Sequence, residues 1–373
     1  MTKTTGARPG PLQGMKVVEM AGIGPGPFTA MLLADLGADV IRVERPNAGA
    51  PIPMGPQFDN NNRGRPRIAL NLKNDADRAS LWRLIEAADM LVEGFRPGVM
   101  ERLGFGPDDC LARNAKLIFG RMTGWGQEGP LAHLAGHDLN YLGLTGAVDA
   151  FGPPGEPAWP PLNLVADFGG GGMYLAFGMM AAHRHAVATG VGQVVDAAMV
   201  DGASLLMNMA YGMRSAGVST KRGGENILDG GAPFYAVYAC KDGKQITLCC
   251  LEIQFYAAFL ERAGLMDDPA FARQFDQSTW PDMKARLTDY FLAKTRDEWA
   301  TQFGDVDACL FPVLSIDEAP KYAHNAARGT YETVDGSHHA APGPRFSETP
   351  AHSPDHVEKD VVDVGQVLSA WSA

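Results

Sequence analysis

Through Arg121 the chain alternates short apolar runs of strand type with runs of helix type, and no other feature constrains its fold so tightly. Met15–Met20 (MKVVEM) reads as a buried strand, and Gly22–Pro27 forms a turn leading into a helix over Phe28–Leu36. Asp39–Val43 is a second strand, Ile68–Leu72 a third, and Ala79–Ala88 a helix. Met90–Val92 and Lys116–Arg121 are further strands. Strands separated by helices do not pair as tight hairpins; the helices cross over and cover the faces of the sheet. The pattern predicts an α/β protein with a doubly wound, mostly parallel, Rossmann-like sheet in a large domain.

After Gly152 the texture changes. Phe168–Val187 and Met199–Ser215 are apolar, rich in Met and Ala, and long enough for buried helices. A hairpin follows: Phe234–Cys240, the turn Lys241–Lys244, then Gln245–Cys250. Helical patterns lie at 253–264, 281–293 and 297–303, and a short one at Val364–Trp371. The expected organisation is a large α/β domain with connecting helices over 1–224 and a smaller α+β domain over 225–325. A C-terminal segment, 326–373, would return to the large domain. Met207, Met209, Tyr211 and Met213 on one helical segment are expected to pack in the core, the alternative being an adaptable pocket wall.

Composition narrows the function classes. The N-terminal MTKTTGARPGPLQG has no apolar signal core, and no eighteen apolar residues run unbroken, so neither secretion nor a membrane span is expected. The C-terminal Ala-Trp-Ser-Ala is no peroxisomal address, which leaves a cytoplasmic setting as the expectation. Five cysteines without CxxC spacing suggest neither a disulfide framework nor a zinc site. A net charge of −11 argues against nucleic acid as a partner. That charge is unevenly spread: residues 1–130 hold 16 Lys and Arg against 14 Asp and Glu, the remainder 16 against 29. A local basic excess suits an anionic small molecule.

Several segments carry candidate chemistry. Gly22-Ile-Gly-Pro-Gly26 sits where a dinucleotide fingerprint would, with Glu44 near the ribose position, but the spacing is not G-x-G-x-x-G. Pro25 and Pro27 also remove two N–H groups that a pyrophosphate would need. Arg42, Arg45, Arg63, Arg65, Arg67, Lys73, Arg96 and Arg102 gather where the strands should end, the edge at which open α/β sheets bind ligands. Arginine forks match phosphate oxygens, and Phe95 offers a face for a purine. His137, in Ala135-Gly-His-Asp-Leu-Asn-Tyr141, can act as a base near neutral pH. His133 precedes it by four residues, but no glutamate and no third ligand make a metal site of the pair. Asp167 precedes four glycines and an apolar helix. Helix capping accounts for the acid but not for the glycines. Close ligand approach to bare N–H groups, which would hold a developing oxyanion, accounts for both. Glu252 ends the hairpin and opens a helix, where the dipole favours an acid.

Taken in order, the segments resemble the family III CoA-transferase superfamily, and within it the α-methylacyl-CoA racemases. The resemblance runs from Gly10-Pro-Leu-Gln-Gly-Met-Lys-Val-Val-Glu19 through Leu33-Ala-Asp-Leu-Gly-Ala-Asp-Val40, Arg121-Met-Thr-Gly-Trp-Gly-Gln127 and Gly136-His-Asp138. It continues in Pro161-Leu-Asn-Leu-Val-Ala-Asp-Phe-Gly-Gly170, Gly192-Gln-Val-Val-Asp-Ala-Ala-Met-Val200 and Asp229-Gly-Gly-Ala-Pro-Phe-Tyr235. It implies a coenzyme A thioester as substrate and an interlocked homodimer in which Glu252 of one subunit supports His137 of the other. It also implies catalytic roles for His137, Asp167 and Glu252 in a 1,1-proton transfer through an enolate. CoA contacts would fall on Arg45, on Leu70, Asn71, Leu72 and Lys73, on Gly94, Phe95 and Arg96, and on Arg102. Others would fall on Gly136, Asp138, Leu139, Asn140 and Tyr141. The family chemistry calls for no metal or redox cofactor. The alternative it leaves open is CoA transfer with Asp138 as the nucleophile.

Overall fold

The computed structural model describes residues 9–46, 55, 58–334, 336–353 and 361–372. The chain forms two compact units, one of Met1–Thr145, Pro161–Leu206 and Tyr322–Ala373, the other of Gly146–Pro160 and Met207–Lys321. The first unit opens with β1 (Lys16–Met20), α1 (Pro25–Asp35), β2 (Asp39–Glu44), β3 (Arg67–Ala69), α2 (Asp75–Ala87) and β4 (Met90–Glu93). It continues with α3 (Val99–Arg102), α4 (Pro107–Arg113), β5 (Ile118–Thr123) and α5 (Asp138–Gly143). A π-helical stretch, Leu164–Met173, then runs directly into α6 (Tyr174–Thr189), β6 (Gln193–Ala198) and α7 (Met199–Leu206). The second unit holds α8 (Asn208–Ser215), β7 (Tyr235–Ala239), β8 (Gln245–Cys249), α9 (Ile253–Ala263), α10 (Trp280–Phe291), α11 (Arg296–Phe303) and β9 (Leu310–Pro312). The chain returns to the first unit with α12 (Ala323–Arg328), β10 (Tyr331–Val334), β11 (Ser337–Ala340) and α13 (Val364–Ser372).

Six strands form one parallel sheet in the order β3-β2-β1-β4-β5-β6. The order reverses between β1 and β4, so the loops leaving those two strands flank the crevice where doubly wound sheets take their ligands. Burial on both faces explains the unbroken apolar runs: Val17, Val18, Ile41, Met90, Leu91, Ile118 and Phe119 are all sealed from solvent. Leu81, Leu84 and Ile85 of α2 and Val367 and Trp371 of α13 join one core cluster with the strand residues. β3 stops at Ala69 rather than running on to Leu72, because Asn71 Oδ1 accepts the Lys73 N–H and turns the chain. β6 is a strand that the periodicity did not reveal, and its exposed residues at the sheet edge blur the apolar signal.

By length and composition, Leu164–Thr189 meets the requirements of a bilayer span; Asp167, His183, Arg184 and His185 interrupt its apolar run. In the fold α6 lies on β5 and β6, where Met179 fills the space beside Gly120 and Val195 meets Gly178.

The second unit contains the predicted hairpin, β7 against β8, extended by β9 into a three-stranded antiparallel sheet. Its core is aromatic, built from Phe234, Tyr256, Phe259, Trp280, Phe291, Trp299 and Phe303, with Phe234 and Trp280 edge to face at 5.7 Å. The unit begins at 207 rather than 225 and ends at 321 rather than 325, and it recruits 146–160. Packing explains part of that: Gly223 lies against the Asp149 and Ala150 backbone, so the loop before the hairpin belongs with it. The expected single helix over Met199–Ser215 is two helices, and α8 has no buried residue. Met209 and Tyr211 are exposed, which overturns the core-packing expectation for the methionine-rich segment.

Candidate active site

The strand ends place the basic residues in two groups. Arg42, Arg63 and Arg65 are buried and paired: Arg42 and Arg65 both hold Glu19, and Arg63 grips Asp35 with two bonds. Arg67 pairs with Glu44 at 3.2 Å. These cations are framework. Arg45 after β2, Lys73 between β3 and α2, Arg96 after β4 and Arg102 at the end of α3 are exposed. None of the four makes an ion pair among the described residues. Asn71, Gly94, Leu139 and Asn140 are likewise exposed, Leu72 and Phe95 half-buried, and Leu70 buried.

His137 caps α5, and its N–H donates to Asn140 Oδ1 at 3.0 Å. The imidazole is exposed, while Asp138, the next residue, is buried. Asp138 Oδ2 accepts the N–H groups of Ala166 (2.9 Å) and Asp167 (2.8 Å), and Oδ1 is buried without a hydrogen-bond partner among the described residues. A carboxylate from α5 therefore ties α5 to the first turn of the π-helical stretch. Asp167, in that turn, receives a 3.0 Å hydrogen bond from Asn163 Nδ2 on its Oδ2. Gly24, held at φ 68° as the cap of α1, lies against the same oxygen, so a Cβ there would stand 3.2 Å from it. Burial pushes the Asp167 carboxyl above the ordinary range; the Asn163 bond lowers it, the Asp138 charge adds to the rise, and His137 opposes it.

Tyr141 completes the group. Its ring stands edge-on to Trp125 at 4.6 Å and its hydroxyl donates to the Gly136 carbonyl. Gly124 and Gly136 are glycines for want of room, since a Cβ would sit 2.0 Å and 2.6 Å from the tyrosine ring. Burial raises the Tyr141 phenol, with the Asp167 charge adding and Arg96 opposing. Asp167 is thus within electrostatic reach of His137, Asp138 and Tyr141, and Tyr141 within reach of Arg96.

Three expectations change. Asp167 is not an N-cap; it lies inside the helical stretch, whose mouth Asp138 caps from another segment. Of the N–H groups near Asp167–Gly170 expected to be open to an oxyanion, that of Asp167 is occupied by the Asp138 carboxylate, which also takes the Ala166 N–H. The glycine run also serves packing rather than ligand approach: Gly170 rests on the Gly202–Ala203 backbone, Gly171 on Met199 and Gly172 on Phe28. Glu252, in the second unit, is the exposed N-cap residue of α9 at the end of β8.

Asn163 and Asp138's capping role escaped the sequence reading. Asn163 stands four residues before Asp167, a helical i,i+4 pairing that signals the contact only once the helix is known to begin there.

The profile of CoA-transferase family III matches residues 12–357. The chain belongs to that family. It is 42% identical to the α-methylacyl-CoA racemase of Mus musculus over 91% of this chain and 87% of the relative. The acetyl-CoA:oxalate CoA-transferase of Acetobacter aceti is 33% identical, covering 88% and 87%. The crystal structure of a CaiB/BaiF family protein from Brucella suis superposes with a TM-score of 0.79 at 27% identity, over 93% of this chain and 96% of that one. The six-stranded parallel α/β architecture is accordingly that of the family III CoA-transferases.

Proposed function

We propose that the protein is an isomerase that interconverts (2R)- and (2S)-2-methylacyl-CoA thioesters by 1,1-proton transfer. The observation that carries this is the placement of His137 within electrostatic reach of a half-buried Asp167, beside an Asp138 whose Oδ2 is spent on two backbone N–H groups. Greater similarity to a racemase than to a CoA-transferase supports the same reading.

The α-proton of a thioester is removed by a base on one face, leaving a planar enolate, and an acid on the other face returns a proton. Asp167 serves one face and His137 the other. The raised Asp167 pKa fits a group that must both take and give a proton, because matched acidity speeds transfer in each direction. Asn163 holds Oδ2, which leaves Oδ1 for the proton. Positioned proton transfer contributes about 10²–10⁴-fold, so the enolate oxygen also needs fixed donors. The first-turn N–H groups of Asp138 and Leu139, beside His137, have no acceptor among the described residues and suit that task. Proton transfer changes no oxidation state, so the proposal invokes no redox cofactor. The free cations Arg45, Lys73, Arg96 and Arg102 would receive the CoA phosphates.

A homodimer is part of the proposal, with the partner's Glu252 supporting His137. Large apolar side chains lie open on both units, among them Phe177 at 75% exposure and Ile253 at 72%, as an interface would require.

Transfer chemistry needs a carboxylate oxygen that can reach an acyl carbon; Asp138 Oδ2 is taken by two N–H groups and its Oδ1 is sealed from solvent. The deciding experiment incubates the protein with a chiral 2-methylacyl-CoA in deuterated water. Epimerisation with α-deuterium uptake and no carboxylic acid present is the expected result; strict dependence on an added acid would establish CoA transfer instead. Asp167→Asn should nearly abolish exchange while CoA-thioester binding persists.

A further inference from the structure

Arg121 lies beside this machinery without belonging to it. It sits on β5 directly opposite Glu93, the last residue of β4, with its side chain 6% exposed. Its Nε donates to Glu93 Oε1 at 2.8 Å. Its two terminal nitrogens fork onto both oxygens of Glu101 on α3, at 2.7 and 3.3 Å. The second oxygen of Glu93 accepts the Phe95 N–H at 2.7 Å. One guanidinium thus fastens both ends of the segment 93–102 and, through Glu93, the first turn of its loop. That segment leaves β4 at the point where the strand order reverses, and it carries Arg96 and Arg102.

Stability alone does not account for the arrangement. A buried ion pair contributes little net stability compared with apolar residues of the same size, because desolvation offsets the attraction. Burial here even pushes the Glu93 carboxyl above its ordinary range. What the fork does supply is geometry: a planar guanidinium dictates where each carboxylate lies, and a lysine in its place has no such fork.

We infer that Arg121 is a positioning residue that pre-organises the Gly94–Arg102 segment so that Arg96 and Arg102 meet the phosphates of a CoA thioester. The inference rests on the CoA-thioester reading given above. Ordering a loop before binding removes a cost otherwise taken from affinity, so its loss appears in KM and not in the proton-transfer step.

The test compares the parent with Arg121→Lys and Glu101→Gln, using a 2-methylacyl-CoA and the same acyl group on N-acetylcysteamine, which lacks the nucleotide and its phosphates. Isothermal titration with CoA supplies a binding readout free of turnover. For the CoA thioester, KM and the CoA Kd should rise about tenfold in Arg121→Lys and about threefold in Glu101→Gln, the scale of one charge-assisted hydrogen bond lost or weakened. On the N-acetylcysteamine thioester, kcat/KM should stay within about twofold of the parent. Equal losses on both thioesters, or no loss on either, would overturn the inference. Glu101 is partly exposed, so its variant carries the test if Arg121→Lys does not fold. A parent that binds no CoA would instead overturn the underlying functional reading, and the inference with it.

Discussion

Replacing Asp138 separates a capping role from a chemical one. Its Oδ2 accepts two backbone N–H groups, at 2.9 and 2.8 Å, in the turn that carries Asp167. Hydrogen bonds to a charged acceptor contribute about 1.5–3 kcal/mol each and neutral ones about 1 kcal/mol, so the isosteric Asp138→Asn weakens the pair by about 1–4 kcal/mol. For a domain of this size each kcal/mol moves the melting temperature by about 2–4 °C, so a fall of several degrees is expected. Asp138→Ala strands both N–H groups and should cost more, about 2–6 kcal/mol. Removing the Asp138 charge also relieves part of the upward pressure on Asp167. Asp167 then ionises at lower pH, and the limb of the pH–rate profile in which it acts as base moves down. Differential scanning calorimetry and α-proton exchange across pH 4–8 measure both effects. An Asn variant with parental melting temperature and no exchange would refute the capping argument, because it would make Asp138 a reacting group.

Asp167→Asn should leave the protein at least as stable as the parent at neutral pH. A carboxyl whose folded pKa is raised costs stability as pH climbs through that value, so the variant's advantage in denaturant melts should vanish on acidification toward the ordinary carboxyl range. Gly136→Ala drives a Cβ to 2.6 Å from the Tyr141 ring and Gly124→Ala to 2.0 Å, so both should destabilise by about 1–3 kcal/mol or more, Gly124→Ala the worse, as urea titration would register. If Glu252 supports His137 across a homodimer, mixed dimers of His137→Ala and Glu252→Gln subunits carry one intact site, and random pairing should restore about a quarter of parental exchange. Failure to complement, with dimers confirmed by sedimentation, would remove Glu252 from that role.

How far the sequence carried depended on the range of each interaction. Strands β1 to β5 and the β7–β8 hairpin were legible because local periodicity and turn residues determine them, and helical crossovers between strands imply a parallel sheet, whose order only the structure supplies. β6 was not, since an edge strand with exposed residues keeps little apolar alternation. Of the clustered basic residues, nothing local distinguished Arg65, sealed against Glu19, from Arg96, open to solvent. Both sit among glycine and proline, and only the position of a partner 46 residues earlier separates framework from binding surface.

The same limit explains the four glycines before α6. At the level of sequence, ligand approach and helix packing predict the same run, because each needs a backbone without Cβ atoms. The fold decides between them through Gly202, whose own Cβ would fall 1.8 Å from the Gly170 carbonyl oxygen. Two glycines on different helices, each required by the other, mark a backbone-to-backbone contact. That contact draws α7 onto the π-helical stretch, while Asp138 fastens α5 to the opening turn of the same stretch. Asp167 is held between these constraints on a π-helical stretch, a form of helix that recurs at functional sites. Beside the local Asn163 bond, the placement of Asp167 therefore depends on contacts 28 or more residues apart in the chain, which no reading of its immediate neighbours exposes.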